Sequence, residues 1–427
     1  MRRISLRAVL LAACLALELT PGLVRADEPA AGGMDLGGDA AGDAAPDAAI
    51  KGFQTLYRFT GKKDGSSPRG GVLYYRGAVY GTTQADANCP TCGTLFKLTP
   101  ARGSWKIAIL HRFGNETFTD GMTPQAPLVN FGTTLYGTTF EGANPLCGCG
   151  EVFRFKLPGT YDKMKFSGPD GMNPEAGLLA AKNGTLYGTT TAGGKHRAGV
   201  VFKIAPSGKR STLYDFHGAQ NGGPQGELVF GKDGAIYGTT YGAGAHNQGM
   251  VFRLTTAGRF QDLHDFHYNY GATAVSDGAY PQGRLAVARN GNIYGITQGG
   301  GDPSGYGTAW SLVRLASGKY HYQQIFVFGS PNEANTPHSG FVIDGHGVLY
   351  GTAAGGGTSG GGVIYKLKQT SPGNWTYTTL HEFKPLSTGG DIPFADIQLV
   401  GSVLYGSALT GGRPNSDCCG TVWRFGL

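Results

Sequence analysis

Charge is scarce in this sequence: Asp, Glu, Lys and Arg make up only 15% of its 427 residues. That excludes intrinsic disorder for most of the chain. Long apolar runs are missing too. After residue 26 nothing approaches the ~18 consecutive apolar residues of a membrane-spanning helix, so no transmembrane segment is expected once a leader is removed. Glycine, by contrast, abounds, with 74 residues against an average usage of roughly 7%. It follows no strict period of three, which excludes collagen, and its density argues against long helices. With 21 Tyr and 22 Phe available for a core, the remaining class is all-β with many turns. The length suits two or three ordinary domains or one large repeat architecture.

Residues 1–26 read as an export signal. Arg2, Arg3 and Arg7 form a basic start, Ala8 to Leu19 is apolar except for Glu18, and Val24-Arg25-Ala26 offers a cleavage site. Leu11-Ala12-Ala13-Cys14 also resembles a lipoprotein box, a minor alternative with Cys14 as the anchor. Residues 27–50 carry six acids and no base, in a background of Ala, Gly and Pro. This acidic linker has little to bury and is expected to be disordered. The body, 51–427, is left with a net charge of +10. The expected location is secreted or periplasmic, which disfavours nucleic acid as a partner. A basic exported body suits an anionic glycan or another envelope polymer.

Internal repetition dominates the body. A Tyr-Gly pair recurs at Tyr80, Tyr136, Tyr187, Tyr237, Tyr294, Tyr350 and Tyr405, with spacings of 56, 51, 50, 57, 56 and 55. A second motif follows each, such as Leu95-Phe96-Lys97-Leu98 or Val201-Phe202-Lys203-Ile204. A third ends in Phe, as at Leu110 to Phe113, and an Asp-Gly-x-x-Pro turn then leads to an apolar strand such as Leu128-Val129. Four short strands in about 50 residues is the signature of a propeller blade. Seven units predict a seven-bladed β-propeller over 51–427, with four antiparallel strands per blade. The body opens on an unmatched outer-strand motif, Leu56 to Phe59, and ends one strand short at Val422 to Phe425. The N-terminal strand should therefore complete the last blade, pairing 53–59 with 420–425 and leaving no open edge.

Leu-Tyr-Gly-Thr-Thr, the Gly-Gly after it, Gly-x-Val-Phe-Lys-Leu and Asp-Gly-x-x-Pro together resemble the choice-of-anchor tandem GloVer repeat of bacterial exported proteins. The resemblance covers nearly all of 53–427. It implies export and a repeat domain, with no defined catalytic activity. Members often end in an anchoring segment, and none is expected after Phe425-Gly426-Leu427.

Most chemical candidates reduce to structure. The seven tyrosines are expected to pack between blades. Lys97, Arg154, Lys203, Arg253, Lys366 and Arg424 form either a cationic belt or solvated stems paired with acids such as Asp215, Asp265 or Glu382. The turn acids Asp64, Asp120, Asp170, Asp277 and Asp391 sit on different blades, whereas calcium needs six to eight converging oxygens. They are read as turn formers, and no metal or cofactor is expected. Gly355 to Gly361 matches dinucleotide and nucleophile-elbow patterns but precedes a strand, not the helix both require. His264 and His267 fall on opposite faces of a strand.

Two groups remain. Cys89 and Cys92, Cys147 and Cys149, and Cys418 and Cys419 occupy the loop between second and third strands of repeats one, two and seven, which are neighbours on a closed ring. Export favours disulfides, within each loop or between loops. At the entry of the innermost strand, Gly177 and Gly340 contrast with Glu227, Arg284 and Asp396. Charge where glycine suffices marks either a ligand site or a water-filled channel mouth. The function expected is a monomeric binding or scaffold protein for an extracellular or envelope component, such as a polysaccharide. The alternative is a polysaccharide lyase or hydrolase with those three residues as acid, base or charge stabiliser.

Overall fold

The computed structural model describes residues 50–427 except 87–88, 90, 115–118, 218–222, 269–275, 330–331 and 414–415. The export signal and nearly all of the acidic linker lie outside the described residues. Among the described residues no helix is long and apolar enough to cross a membrane.

Seven four-stranded antiparallel sheets form the seven blades of a β-propeller. In blade 1 the strands Val72–Tyr75, Ala78–Thr83, Thr94–Ala101 and Ser104–Arg112 pair in sequence order from the axis outward. Blade 7 is built from Gln398–Val400, Val403–Arg413 and Ser416–Gly426, and Gly52–Arg58 is its outer strand. Phe53 lies opposite Phe425 and Arg58 opposite Thr421. The Phe59 N–H continues the ladder to the Gly420 carbonyl at 3.1 Å. The ring thus closes by the expected one-plus-three arrangement, and no end blade presents an unpaired edge.

The Tyr-Gly repeat has a steric cause. Each such glycine faces the aromatic residue of the next strand, as Gly81 faces Phe96 and Gly238 faces Phe252. A Cβ at either glycine would lie 2.6 Å from that ring, so only hydrogen fits beneath it. The neighbouring tyrosine points to the other side of the sheet and enters the gap between blades, where Tyr80, Tyr237 and Tyr405 are at most 2% exposed. The core is accordingly seven inter-blade clusters, and the one joining blades 7 and 1 holds Leu56, Phe59, Phe96, Tyr405 and Val422. The Phe ending each outer strand completes the layer: Phe59, Phe113, Phe166, Phe216, Phe266, Phe328 and Phe383 are all buried. Fully burying one such side chain is worth roughly 1.5–3 kcal/mol.

Two local expectations need correction. The basic residues after the third-strand aromatic do not use Asp215, Asp265 or Glu382. Arg154 pairs with Asp162 opposite it on the outer strand, and Arg253 with Asp233 in the first turn of its blade at 2.7 Å. Asp215 instead caps the backbone of Lys195 and the His196 ring, Asp265 the Ala245 N–H, and Glu382 the Thr358 hydroxyl. Cys418 and Cys419 lie not in a loop but within the third strand, because the second and third strands of blade 7 extend as a longer hairpin.

Candidate functional site

One end of the propeller axis is ringed by the residue that follows a recurring proline. Pro68, Pro124, Pro174, Pro224, Pro281, Pro337 and Pro393 are followed by Arg69, Gln125, Glu175, Gln225, Gln282, His338 and Phe394, all of which line one cavity of about 90 Å³ at the channel mouth. The preceding residue is left-handed in six blades: Ser67, Thr123, Asn173, Tyr280, Thr336 and Ile392 have φ between 51° and 60°. That conformation is unusual, most of all for branched Thr and Ile. Inter-blade hydrogen bonds hold it. The N–H groups of Ser67, Thr123 and Asn173 donate to the carbonyls of Cys419, Thr91 and Cys149, each on the preceding blade. The cysteine-bearing segments of blades 7, 1 and 2 therefore grip the turns that present Arg69, Gln125 and Glu175. Within each segment the two cysteines are neighbours, with Cα atoms 5.1 Å apart for Cys89 and Cys92 and for Cys147 and Cys149, and Cys418 lies next to Cys419.

Around the mouth the side chains form a nearly continuous network. The Gln282 amide donates to Gln225 Oε1 at 3.2 Å, and Gln282 Oε1 lies 2.9 Å from His338 Nδ1. Because an amide oxygen only accepts, Nδ1 carries the proton, and Nε2 then accepts from Gln298 at 3.3 Å. A neutral imidazole satisfies both contacts. Burial and the Arg69 charge hold His338 neutral, pulling its pKa down to about 4. Phe394 stacks on His338 at 4.0 Å, and the Arg69 guanidinium sits 4.6 Å from the centre of the Phe394 ring. Arg69 also reaches Glu175 at 3.7 Å. Burial raises the Glu175 pKa, and Arg69 partly offsets this.

The residues singled out in the sequence form a second layer, two positions further along the chain, and Glu227 and Asp396 also line the mouth cavity. Glu227, Arg284 and Asp396 do come together, with Arg284 Nε 3.9 Å from Glu227 Oε2. Asp396 Oδ1 accepts the Gly340 N–H at 2.5 Å and the Arg284 N–H at 3.4 Å. Burial, then the charge of Asp396, pushes the Glu227 carboxyl up to about 8, against the opposing pull of Arg284. Burial likewise raises Asp396. Glu227 Oε1 is buried without a hydrogen-bond partner among the described residues. The glycines at this level are not neutral defaults. A Cβ at Gly177 would lie 2.6 Å from the Glu227 carboxylate, so the missing side chain on one blade makes room for the acid of the next.

Sequence reasoning read the Asp-Gly-x-x-Pro element as a turn and stopped there. The acids do serve the turn or its surroundings: Asp64 accepts the Thr60 N–H at 2.7 Å, Asp170 the Ser167 N–H at 2.8 Å, and Asp277 meets His264 at 2.8 Å. The mouth residues one place beyond the proline were missed. Their signal is variety, with Arg, Gln, Glu, His and Phe at a position where a purely structural repeat has no need of it.

Solved structures are similar at low identity. A surface component of the type-IX secretion system of Porphyromonas gingivalis, PorZ, is 12% identical with a TM-score of 0.50, covering 86% of this chain and 47% of its own. A protein from Lactobacillus plantarum is 15% identical with a TM-score of 0.49, covering 74% of this chain and 85% of its own. No curated protein matches. The model of the Gloeobacter/Verrucomicrobia repeat matches residues 86–276 and 221–423, which together take in most of the sequence and all but the first of the seven Tyr-Gly pairs. The chain belongs to that repeat family.

Proposed function

We propose that this propeller is an exported binding protein that takes a hydroxyl-rich ligand, a sugar unit of an extracellular or envelope polysaccharide, at the axial mouth. The observation that carries the reading is the mouth itself. Phe394, held between His338 and Arg69, offers a ring edge, and Gln125, Gln225 and Gln282 offer amides that both donate and accept. A space of about 90 Å³ admits one end of such a ligand, with the rest lying over the rim.

A second reading, a lyase or hydrolase, draws on Glu227. A carboxyl that holds its proton near neutral pH beside a second acid is what a general acid requires. Against it, Asp396 is occupied by two backbone N–H groups. Screening the purified body against glycans, with product analysis, separates the readings. The expected result is binding without turnover, weakened about tenfold or more in Phe394→Ala. Product formation that disappears in Glu227→Gln would replace the binding reading by the enzymatic one.

Export carries its own prediction. Peptide mapping without reduction is expected to recover three cross-links, each within its own segment, Cys89 to Cys92, Cys147 to Cys149 and Cys418 to Cys419. Such short loops remove little entropy from the unfolded chain, so reduction should affect the mouth more than the melting temperature. Free thiols in protein recovered from outside the cytoplasm would sink this assignment.

A further inference from the structure

The opposite end of the axis holds a far larger space that the mouth does not use. Its volume is about 810 Å³, within the ~300–1,000 Å³ range of ligand sites. The mouth residues precede the innermost strands, whereas this cavity is lined by the far halves of those strands and by the turns after them, centred on blades 5 and 6. At the mouth end the two blades touch backbone to backbone, with the Phe341 N–H donating to the Arg284 carbonyl at 3.1 Å. Beyond that contact the cleft opens.

Its chemistry is uneven in sign. Arg284, Arg289 and Lys368 line it, and the lone lining acid is Asp344. Asp344 is committed to its own turn, accepting the His346 and Val348 N–H groups at 2.8 and 2.9 Å and the Tyr350 hydroxyl at 3.1 Å. Arg289 and Lys368 have no ion-pair partner among the described residues. The Arg289 guanidinium crosses towards blade 6, where a Cβ on Gly345 would lie 3.6 Å from it. Arg284 lies 3.9 Å from Glu227 and within the field of Asp396, so it is the most compensated of the three cations. On the wall, half-buried Trp375 packs edge-on against Tyr294 with centroids 5.7 Å apart, fixing an indole at the cavity surface.

We infer that this cleft is a binding site for a carboxylated oligosaccharide, a short chain of uronic acid units, stacked on Trp375 with its carboxylates facing Arg289, Lys368 and Arg284. An aromatic platform fits the apolar face of a sugar ring, and arginine matches a carboxylate through two parallel N–H groups. A neutral sugar would leave Arg289 and Lys368 without counter-charge. The site is separate from the mouth proposed above and stands or falls independently of it.

The test is calorimetric titration of the full chain with oligogalacturonates of three to six units, alongside neutral cello-oligosaccharides and poly-glutamate of matching length. Oligogalacturonate is expected to bind best and to weaken as salt is raised. The exposed double variant Arg289→Glu/Lys368→Glu should lose about tenfold or more in affinity while its melting temperature stays unchanged, and Trp375→Ala should lose affinity at low and high salt alike. Phe394→Ala, at the mouth, should bind oligogalacturonate as wild type does. Equal binding of the neutral sugar, preference for poly-glutamate, no binding at all, or full affinity in the double variant would each overturn the assignment.

Discussion

Removing residues 51–60 is expected to abolish the folded propeller. The deleted segment supplies the whole outer strand of blade 7, Gly52–Arg58, and the buried anchors Leu56 and Phe59 of the cluster between blades 7 and 1. Phe53 goes as well, leaving His381, on which it stacks at 3.9 Å, without its partner. The two buried side chains at roughly 1.5–3 kcal/mol each, with half-buried Phe53 adding less, already approach the lower end of the ~5–15 kcal/mol net stability of a typical protein. The deletion also exposes Gly420 to Gly426 as an unpaired edge, which invites association with other chains. Size-exclusion chromatography should show aggregates, and circular dichroism should show no cooperative melting. Phe59→Ala serves as a milder control: the fully buried ring should cost about 3–5 kcal/mol while leaving the ladder intact. A truncated protein that melts cooperatively as a monomer at the wild-type temperature would mean that the closing strand is dispensable.

The ring was legible because its signals are periodic. Seven Tyr-Gly pairs, and a fourth-strand motif stranded at Leu56 to Phe59, suffice to count blades and close them. The same periodicity placed Glu227, Arg284 and Asp396 at one level of the axis, since equivalent positions on blades around a ring must converge. What periodicity does not carry is the path of a side chain. Arg69 crosses from blade 1 to Glu175 on blade 3, and Arg284 lies where the second layer meets the far cleft. Nor do Ser67, Thr123, Tyr280, Thr336 and Ile392 advertise a left-handed backbone, because none is a residue type that favours one. That conformation is imposed by the neighbouring blade, and with it the aim of the residue after each proline. The ion pairs were missed for a related reason: register sets Arg154 opposite Asp162, while the acids chosen from sequence turn into their own loops.

Replacing Glu227 with glutamine is expected to stabilise the protein at pH 8 and to change little at pH 5. Burial and the nearby Asp396 hold the Glu227 carboxyl up to about 8, whereas the unfolded chain titrates near the ordinary ~4.3. The folded state therefore binds a proton that the unfolded state releases over that interval. This contribution is fully present below about pH 4.3 and is lost as pH rises through about 8. The loss has a limiting slope of ~1.4 kcal/mol per pH unit. Sharing of charge with Asp396 and the weak pull of Arg284 reduce the total to the order of a few kcal/mol. The glutamine side chain would keep the shape of the protonated acid at every pH and so remove this slope. Glu151, raised to about 7 by burial, adds a slope of the same sign to wild type and variant alike, so the difference between the two proteins isolates Glu227. Urea unfolding at pH 5, 6.5 and 8 measures it. The gap between variant and wild type should widen with pH in favour of the variant. A variant less stable than wild type by the same amount at all three values would show instead that Glu227 is ionised and held by Arg284, and the proton-holding acid on which the enzymatic reading depends would be gone with it.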